Sequence, residues 1–173
     1  MSKIIFILGG ARSGKSTFAV KLAKESGKKK IAFIATGQAL DEEMKKRIML
    51  HKKVRPVNFK TFEEPHDIDG LLKKVTGKFD LIIIDCLTLF VSNLLLKKHG
   101  EEEIYKKMDN ILTLLEKIKA TSIVISNEVG LGIVPDTKLG RDFRDIAGKV
   151  NQIIAKNSDQ VFFMVSGIPW RIK

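Results

Sequence analysis

A chain of 173 residues, 44% of them hydrophobic, has the size and composition of one domain around one core, and no linker, low-complexity tract or fixed-period repeat divides residues 1–173. The formal charge of +11 and pI of 9.7 call for an anionic partner without choosing between nucleic acid, a membrane surface and a polyphosphate. The longest apolar runs are too short to span a membrane, the chain enters an apolar strand after Met1-Ser2-Lys3 with no room for a signal peptide, and Cys86 is the one cysteine, so a soluble cytoplasmic protein without disulfides is expected.

In chain order, Ile4-Ile-Phe-Ile-Leu8 is a short continuous apolar run closed by Gly9-Gly10, which predicts a strand buried on both faces, and a helix follows from Lys15 to Ser26. Ile31 to Ala35 is a second strand. Asp41 to about Val54 reads as a helix with an acidic first turn and a basic last turn, closed by Pro56. A weak strand over Val57 to Phe62 and a short helix over Asp67 to Val75 lead to the strongest strand, Leu81-Ile-Ile-Ile84, which ends in Asp85. Apolar residues recur at helical spacing between Glu101 and Lys119, and Ser122 to Ser126 is another strand. Leu139, Phe143, Ile146, Val150 and Ile153 line one face of a further helix, and Val161 to Val165 is a strand. A last strand over Ile168 to Ile172 follows a tight turn, as an antiparallel edge would. Strands alternating with helices predict an α/β fold of the P-loop NTPase, RecA-like kind, with a mostly parallel sheet covered on both faces.

Gly9-x-x-x-x-Gly14-Lys15-Ser16 carries every fixed position of a phosphate-binding loop and lies between a strand and a helix. Chance would place such a pattern in a chain of this length on the order of once in a hundred or less. The loop's backbone N–H groups and the helix N-terminus would cradle the phosphates, Lys15 would reach the β- and γ-phosphates, and Ser16 would meet Mg²⁺. Asp85 ends a run of four aliphatics, where a second Mg²⁺ carboxylate sits in such proteins; a helix cap is its plainer reading.

Arg47, His51 and Arg55 are four residues apart and would share one face of a continuous helix. Two guanidiniums beside an imidazole could hold a phosphate chain against a nucleophile, although an ordinary basic helix face carrying a histidine is the commoner arrangement. His66 and His99 lie in polar contexts and read as solvated. Glu63-Glu64-Pro65 reads as a surface turn whose carboxylates could also serve a nucleotide. The glycine-rich stretch from Asn127 to Pro135 is either a ligand loop at the sheet's carboxyl edge or a connection that needs glycine for its turns.

Six blocks together resemble a known family: Gly9 to Ser16; Ile34-Ala-Thr36; Asp41-Glu-Glu-Met44 leading to Arg47-Ile-x-x-His51-x-x-x-Arg55-Pro56; Asp85-Cys-Leu-Thr-Leu89 with Ser92-Asn-Leu94; Ser126-Asn-Glu-Val-Gly-Leu-Gly-Ile-Val-Pro135; and Arg141-Asp-Phe-Arg-Asp-Ile-Ala-Gly148 with Val150-Asn-Gln152. They look like the bifunctional adenosylcobinamide kinase and adenosylcobinamide-phosphate guanylyltransferase of cobalamin synthesis. The resemblance implies phosphorylation of the corrinoid's aminopropanol hydroxyl by ATP or GTP, then transfer of GMP from GTP through a guanylyl-histidine, with Mg²⁺. His51 falls at the nucleophile's position, with Lys15 assisting. The implied nucleotide contacts are Gly9, Gly10, Ala11, Arg12, Ser13, Gly14, Lys15 and Ser16 of the loop, then Ile34, Ala35, Thr36, Lys52, Lys53, Val54, Arg55, Glu63 and Asp85, with Ser16 and Asp85 holding the metal. A homotrimer is implied as well.

Two other functions fit the residues taken without the resemblance. One is a P-loop kinase of another small molecule without guanylylation, and the other a basic ATPase driven by nucleic acid. Against the latter, the lysines stand in mixed Lys/Glu patterns with no interleaved aromatics, so neither a nucleic-acid partner nor membrane insertion is expected.

Overall fold

The computed structural model describes residues 2–173; the side chains of Arg47, His51, Lys53 and Val54 lie outside the described residues. The elements are β1 (Lys3–Gly9), α1 (Lys15–Glu25), β2 (Ile31–Ala35), α2 (Glu42–Val54), β3 (Phe59–Glu63), α3 (Ile68–Val75), β4 (Leu81–Asp85), α4 (Leu87–Leu96), α5 (Glu101–Lys117), β5 (Thr121–Asn127), α6 (Lys138–Lys156), β6 (Gln160–Val165) and β7 (Ile168–Arg171). Among the described residues the strands form one sheet in the order β3-β2-β4-β5-β1-β6-β7, parallel except for β7, which pairs antiparallel with β6 at the edge.

Continuous aliphatic runs make sense here because the central strands are covered twice. Ile4, Phe6, Leu8, Ile82, Ile84 and Val124 face α3, α4, α5 and α6 in one core layer. Their alternates Ile5, Ile7, Phe33, Ile83, Ile123 and Ile125 face α1 through Ala19 and Ala23. Each such side chain contributes about 1.5–3 kcal/mol on burial, so β4, with Leu81 through Ile84 all at 1% exposure or less, is among the most firmly held strands. Right-handed crossovers place α1 and α2 on one face and α3 to α6 on the other.

Three expectations shift at element edges. The third strand begins at Phe59, because Pro56 starts a turn in which Phe59 N–H donates to the Pro56 carbonyl at 3.0 Å and Val57 is fully exposed. On α6 the buried stripe is Ile146, Ala147, Val150, Asn151 and Ile154, while Leu139, expected inside, is exposed in the first turn. His66 and His99, expected to be solvated, are both half-buried. Burial, reinforced by Lys97, lowers the His66 pKa, and His99 Nδ1 lies 3.1 Å from Glu103.

Candidate active site

The loop after β1 turns sharply because its glycines can. Gly9 and Gly14 have φ of 153° and 92°, and a side chain at Gly9 would collide with the Met164 carbonyl and Ser13 Oγ, both 2.7 Å from where a Cβ would stand. The turn between β6 and β7 buttresses the loop, with Gly167 N–H donating to the Ser13 carbonyl at 3.0 Å. Lys15 opens α1, and its ammonium reaches back inside the loop to donate to the carbonyls of Gly9 (2.9 Å) and Gly10 (2.5 Å). Burial lowers the Lys15 pKa, opposed by the neighbouring Cys86 and Asp85 side chains. Ala11 and Arg12 are exposed at the loop's crest.

One residue on, the Ser16 hydroxyl donates to Asp85 Oδ2 at 2.7 Å, joining α1 to the end of β4. The plainer reading of Asp85, a cap on the next helix, fails: Cys86 is the N-cap of α4, and its side chain makes no capping bond. Cys86 itself is buried and its thiol is pushed up to about 12 by desolvation and then by Asp85, so it stays protonated and unreactive.

Strand register explains why distant residues gather. Asp85 pairs with Ala35 on one side and Ile125 on the other, and Ala35 pairs with Glu63. Side chains alternate along each strand, so Glu63, Ala35 and Asp85 share the α1 face with Phe33 and Ile83. Lys52 of α2 forms an ion pair with Glu63, and a cleft of about 570 Å³ opens beside them, lined by Gly37, Gln38, Ile48 and Met49.

Arg55 departs from the expected continuous helix face. Pro56 disfavours helical backbone in the residue before it, so α2 stops at Val54 and Arg55 is its C-cap, with ψ of 135°. The guanidinium instead stacks over the Phe33 ring at 4.3 Å. Burial lowers the Arg55 pKa, while Asp85 and Glu63 oppose that shift, and its buried Nε and Nη1 have no hydrogen-bond partner among the described residues. The α2 backbone carries the positions of Arg47, His51, Lys53 and Val54 past this site; their side chains are outside the described residues.

Of the second-strand residues, Ile34 points into the opposite core layer and is fully buried, which leaves its backbone alone near the site. Thr36 is buried too: its hydroxyl accepts from Cys86 N–H at 2.8 Å and donates to the Cys86 carbonyl at 2.7 Å. A set of clamping residues, present in the blocks of the resemblance, had no role assigned from the sequence. Asn93 donates to the carbonyls of Thr36 (2.8 Å) and Pro65 (3.1 Å), fixing the loops after β2 and β3. Thr88 bonds Ser126 at 2.9 Å and accepts from Asn127 N–H at 2.6 Å. The available signal was polar residues set into the otherwise apolar run Leu87 to Leu96, since buried polar side chains are informative where buried apolar ones are not.

A phosphate loop joined to a strand-end carboxylate, beside a basic helix over the same sheet face, is the setting the resemblance requires, and comparison with known proteins decides the family. The family model described as "Cobinamide kinase / cobinamide phosphate guanyltransferase" matches residues 5–172. The chain belongs to this family. It is 38% identical over 182 residues to the bifunctional adenosylcobalamin biosynthesis protein CobU of Salmonella typhimurium, covering 98% of this chain and 99% of that one. The corresponding CobP of Pseudomonas aeruginosa is 41% identical over 172 residues, covering 96% and 95%. Among solved structures, the flagellar accessory protein FlaH from Methanocaldococcus jannaschii aligns with a TM-score of 0.56 at 18% identity, over 99% of this chain and 78% of that one. The RadB recombinase aligns at 0.54 and 16%, over 94% and 74%. At those identities the likeness establishes the RecA-like P-loop fold alone. As members of the family do, this enzyme combines kinase and guanylyltransferase activity in one chain. Among the described residues no helix is long and apolar enough to cross a membrane.

Proposed function

We propose that this transferase phosphorylates the aminopropanol hydroxyl of adenosylcobinamide with ATP or GTP at the Gly9 to Ser16 loop, then guanylylates that phosphate through His51. The observation that supports this most is Arg55: it ends the helix that carries His51 and stacks over Phe33 on the sheet face shared with Asp85, the carboxylate bonded to Ser16 of the phosphate loop. The second helix and the phosphate loop thus meet over one sheet face.

In the first reaction, phosphate oxygens compete for the Lys15 ammonium with the Gly9 and Gly10 carbonyls, and the loop N–H groups hold the chain of phosphates in line. In the second, the His51 imidazole attacks the α-phosphorus of GTP and pyrophosphate leaves. The cobinamide phosphate oxygen then attacks the same phosphorus and frees His51, giving adenosylcobinamide-GDP. Arg55, Lys52 and Lys53 would neutralise charge around the α-phosphate, with Glu63 orienting Lys52 through their ion pair.

The Ser16 hydroxyl and Asp85 carboxylate fit Mg²⁺, being oxygen donors already within bonding distance of each other. Among the described residues no group of three His, Cys, Asp or Glu side chains could hold a metal unaided, which suits an ion shared with nucleotide phosphates. Bound there, the ion would offset charge on the β- and γ-phosphates.

Incubation with GTP labelled at the α-phosphate is expected to leave acid-labile, alkali-stable label on the chain, abolished in His51→Ala, while that variant still phosphorylates cobinamide. Kinase activity with no label on the wild-type chain would reduce the enzyme to a small-molecule kinase. On the same reading the working form is a cytoplasmic homotrimer; β7 offers exposed apolar surface at Ile168 and Trp170. Light scattering at three chain masses would support it, and a monomer mass would sink it.

A further inference from the structure

Strand β5 lies between the strand that feeds the phosphate loop and the strand that ends in Asp85. Ile125 of β5 pairs with Asp85, and β5 runs on two residues to pair Asn127 with Gly9, the first residue of the loop. The chain leaves β1 toward the α1 face and leaves β5 toward the opposite face, so a crevice opens between their carboxyl ends, where open parallel sheets bind ligands. Ser126 is turned toward Thr88 on the α4 side. Alternation along the strand therefore puts the Asn127 side chain with Ile123 and Ile125 on the α1 side, opposite Gly9 and two residues along the strand from the register position of Asp85.

The backbone at this point is held from three directions. Asn127 N–H donates to Thr88 Oγ1 at 2.6 Å, its carbonyl accepts from Asn151 Nδ2 at 3.1 Å, and the next N–H, of Glu128, donates to the Gly9 carbonyl at 3.0 Å. Asn151 is buried, at 4% exposure, and its Oδ1 finds no partner among the described residues, so the hydrogen bond it does make is to Asn127. The Asn127 carboxamide, in contrast, makes no hydrogen bond to a described residue and is only half-buried. A rigid backbone thus presents a neutral donor at the mouth of the phosphate crevice.

We infer that Asn127 is a catalytic residue of the kinase step, donating its amide N–H to an oxygen of the γ-phosphoryl group, and that Asn151 and Thr88 are positioning residues acting through it. The inference rests on the kinase reading above. In that step the corrinoid hydroxyl oxygen bonds to the γ-phosphorus as the bond to the β,γ-bridging oxygen breaks. The electron pair leaves with the nucleoside diphosphate, and the hydroxyl proton is released to water. A fixed donor stabilises the charge redistributed over the equatorial oxygens. In guanylyl transfer the bond broken lies at the α-phosphorus and the γ-phosphate departs intact within pyrophosphate, so the same contact lowers that barrier less.

The test measures both half-reactions of the full-length protein, with cobinamide plus ATP for one and ready-made cobinamide phosphate plus GTP for the other. Asn127→Ala is expected to lower kinase kcat about 100-fold, with the KM for ATP moving by less than about threefold and guanylyl transfer falling by at least about tenfold less than the kinase. Asn151→Ala should cost the kinase about tenfold, and should cost nothing further in an Asn127→Ala background. An unchanged kinase kcat in Asn127→Ala, or an equal fall in both half-reactions, overturns the inference. A wild-type protein that phosphorylates no cobinamide would instead overturn the underlying reading. Because Asn127 is half-buried and its ladder bonds come from backbone, the decisive variant does not depend on a core substitution folding.

Discussion

The phosphate loop with its strand-end partners and the second helix adjoin the same site, yet they are held in opposite ways. Lys15, Ser13, Thr36 and Ser126 are buried, and each is tied to backbone or to a neighbouring hydroxyl by bonds that cross between elements. Helix α2 has no buried side chain among its described residues, and Met49 and Leu50 are more than half exposed. A 13-residue helix is marginal by itself in water. What fixes α2 at its ends is the Asp41 cap, accepting from Met44 N–H at 2.7 Å, and the stacking of Arg55 on Phe33. One region is fixed by buried bonds between elements, and the other, among its described residues, is held mainly at its two ends.

The largest effect tests whether both chemistries depend on the rigid region. Lys15→Ala is expected to lower kinase and guanylyl transfer alike by about 100- to 1000-fold, on the proposal that one loop receives the triphosphate of either step. Steady-state rates of the two half-reactions check this. Guanylyl transfer that survives while the kinase is lost would mean that GTP for the second step binds elsewhere, and the comparison would break.

A smaller effect concerns motion. Amide hydrogen exchange should find α2 exchanging faster than β1 and β4 by about 100-fold or more, as expected when an element opens without the core. Adding GTP with Mg²⁺ should slow α2 selectively. Protection of α2 equal to that of β4 in the free protein would show that the helix is fixed by packing, and the division of roles proposed for the two regions would fail.

Much of this was readable from residues. The apolar runs of β1 and β4 are fully buried strands, and a continuous run of that kind has no other stable place in a parallel sheet. The loop from Gly9 to Ser16 follows from motif and context together. Arg55 was misplaced for a reason also present in the sequence: Pro56 withdraws helical backbone from the residue before it, which outweighs the four-residue spacing that had set Arg55 with His51. Asn93, Thr88 and Asn151 stand in the blocks of the resemblance but received no role, because hydrogen bonds to loop backbone leave no periodic trace.

The sequence by itself determined the succession of strands, the phosphate loop, the carboxylate at the end of the strongest strand and the family, since each depends on neighbours along the chain or on long matching blocks. Only the tertiary structure decided which strands are adjacent. That order sets Asn127 opposite Gly9 and Ile125 opposite Asp85, and it brings Ser16 within 2.7 Å of a carboxylate 69 residues away. Parallel pairing between strands far apart in the chain is selected by the packing of whole faces and by the hand of the crossovers, and no local pattern encodes it.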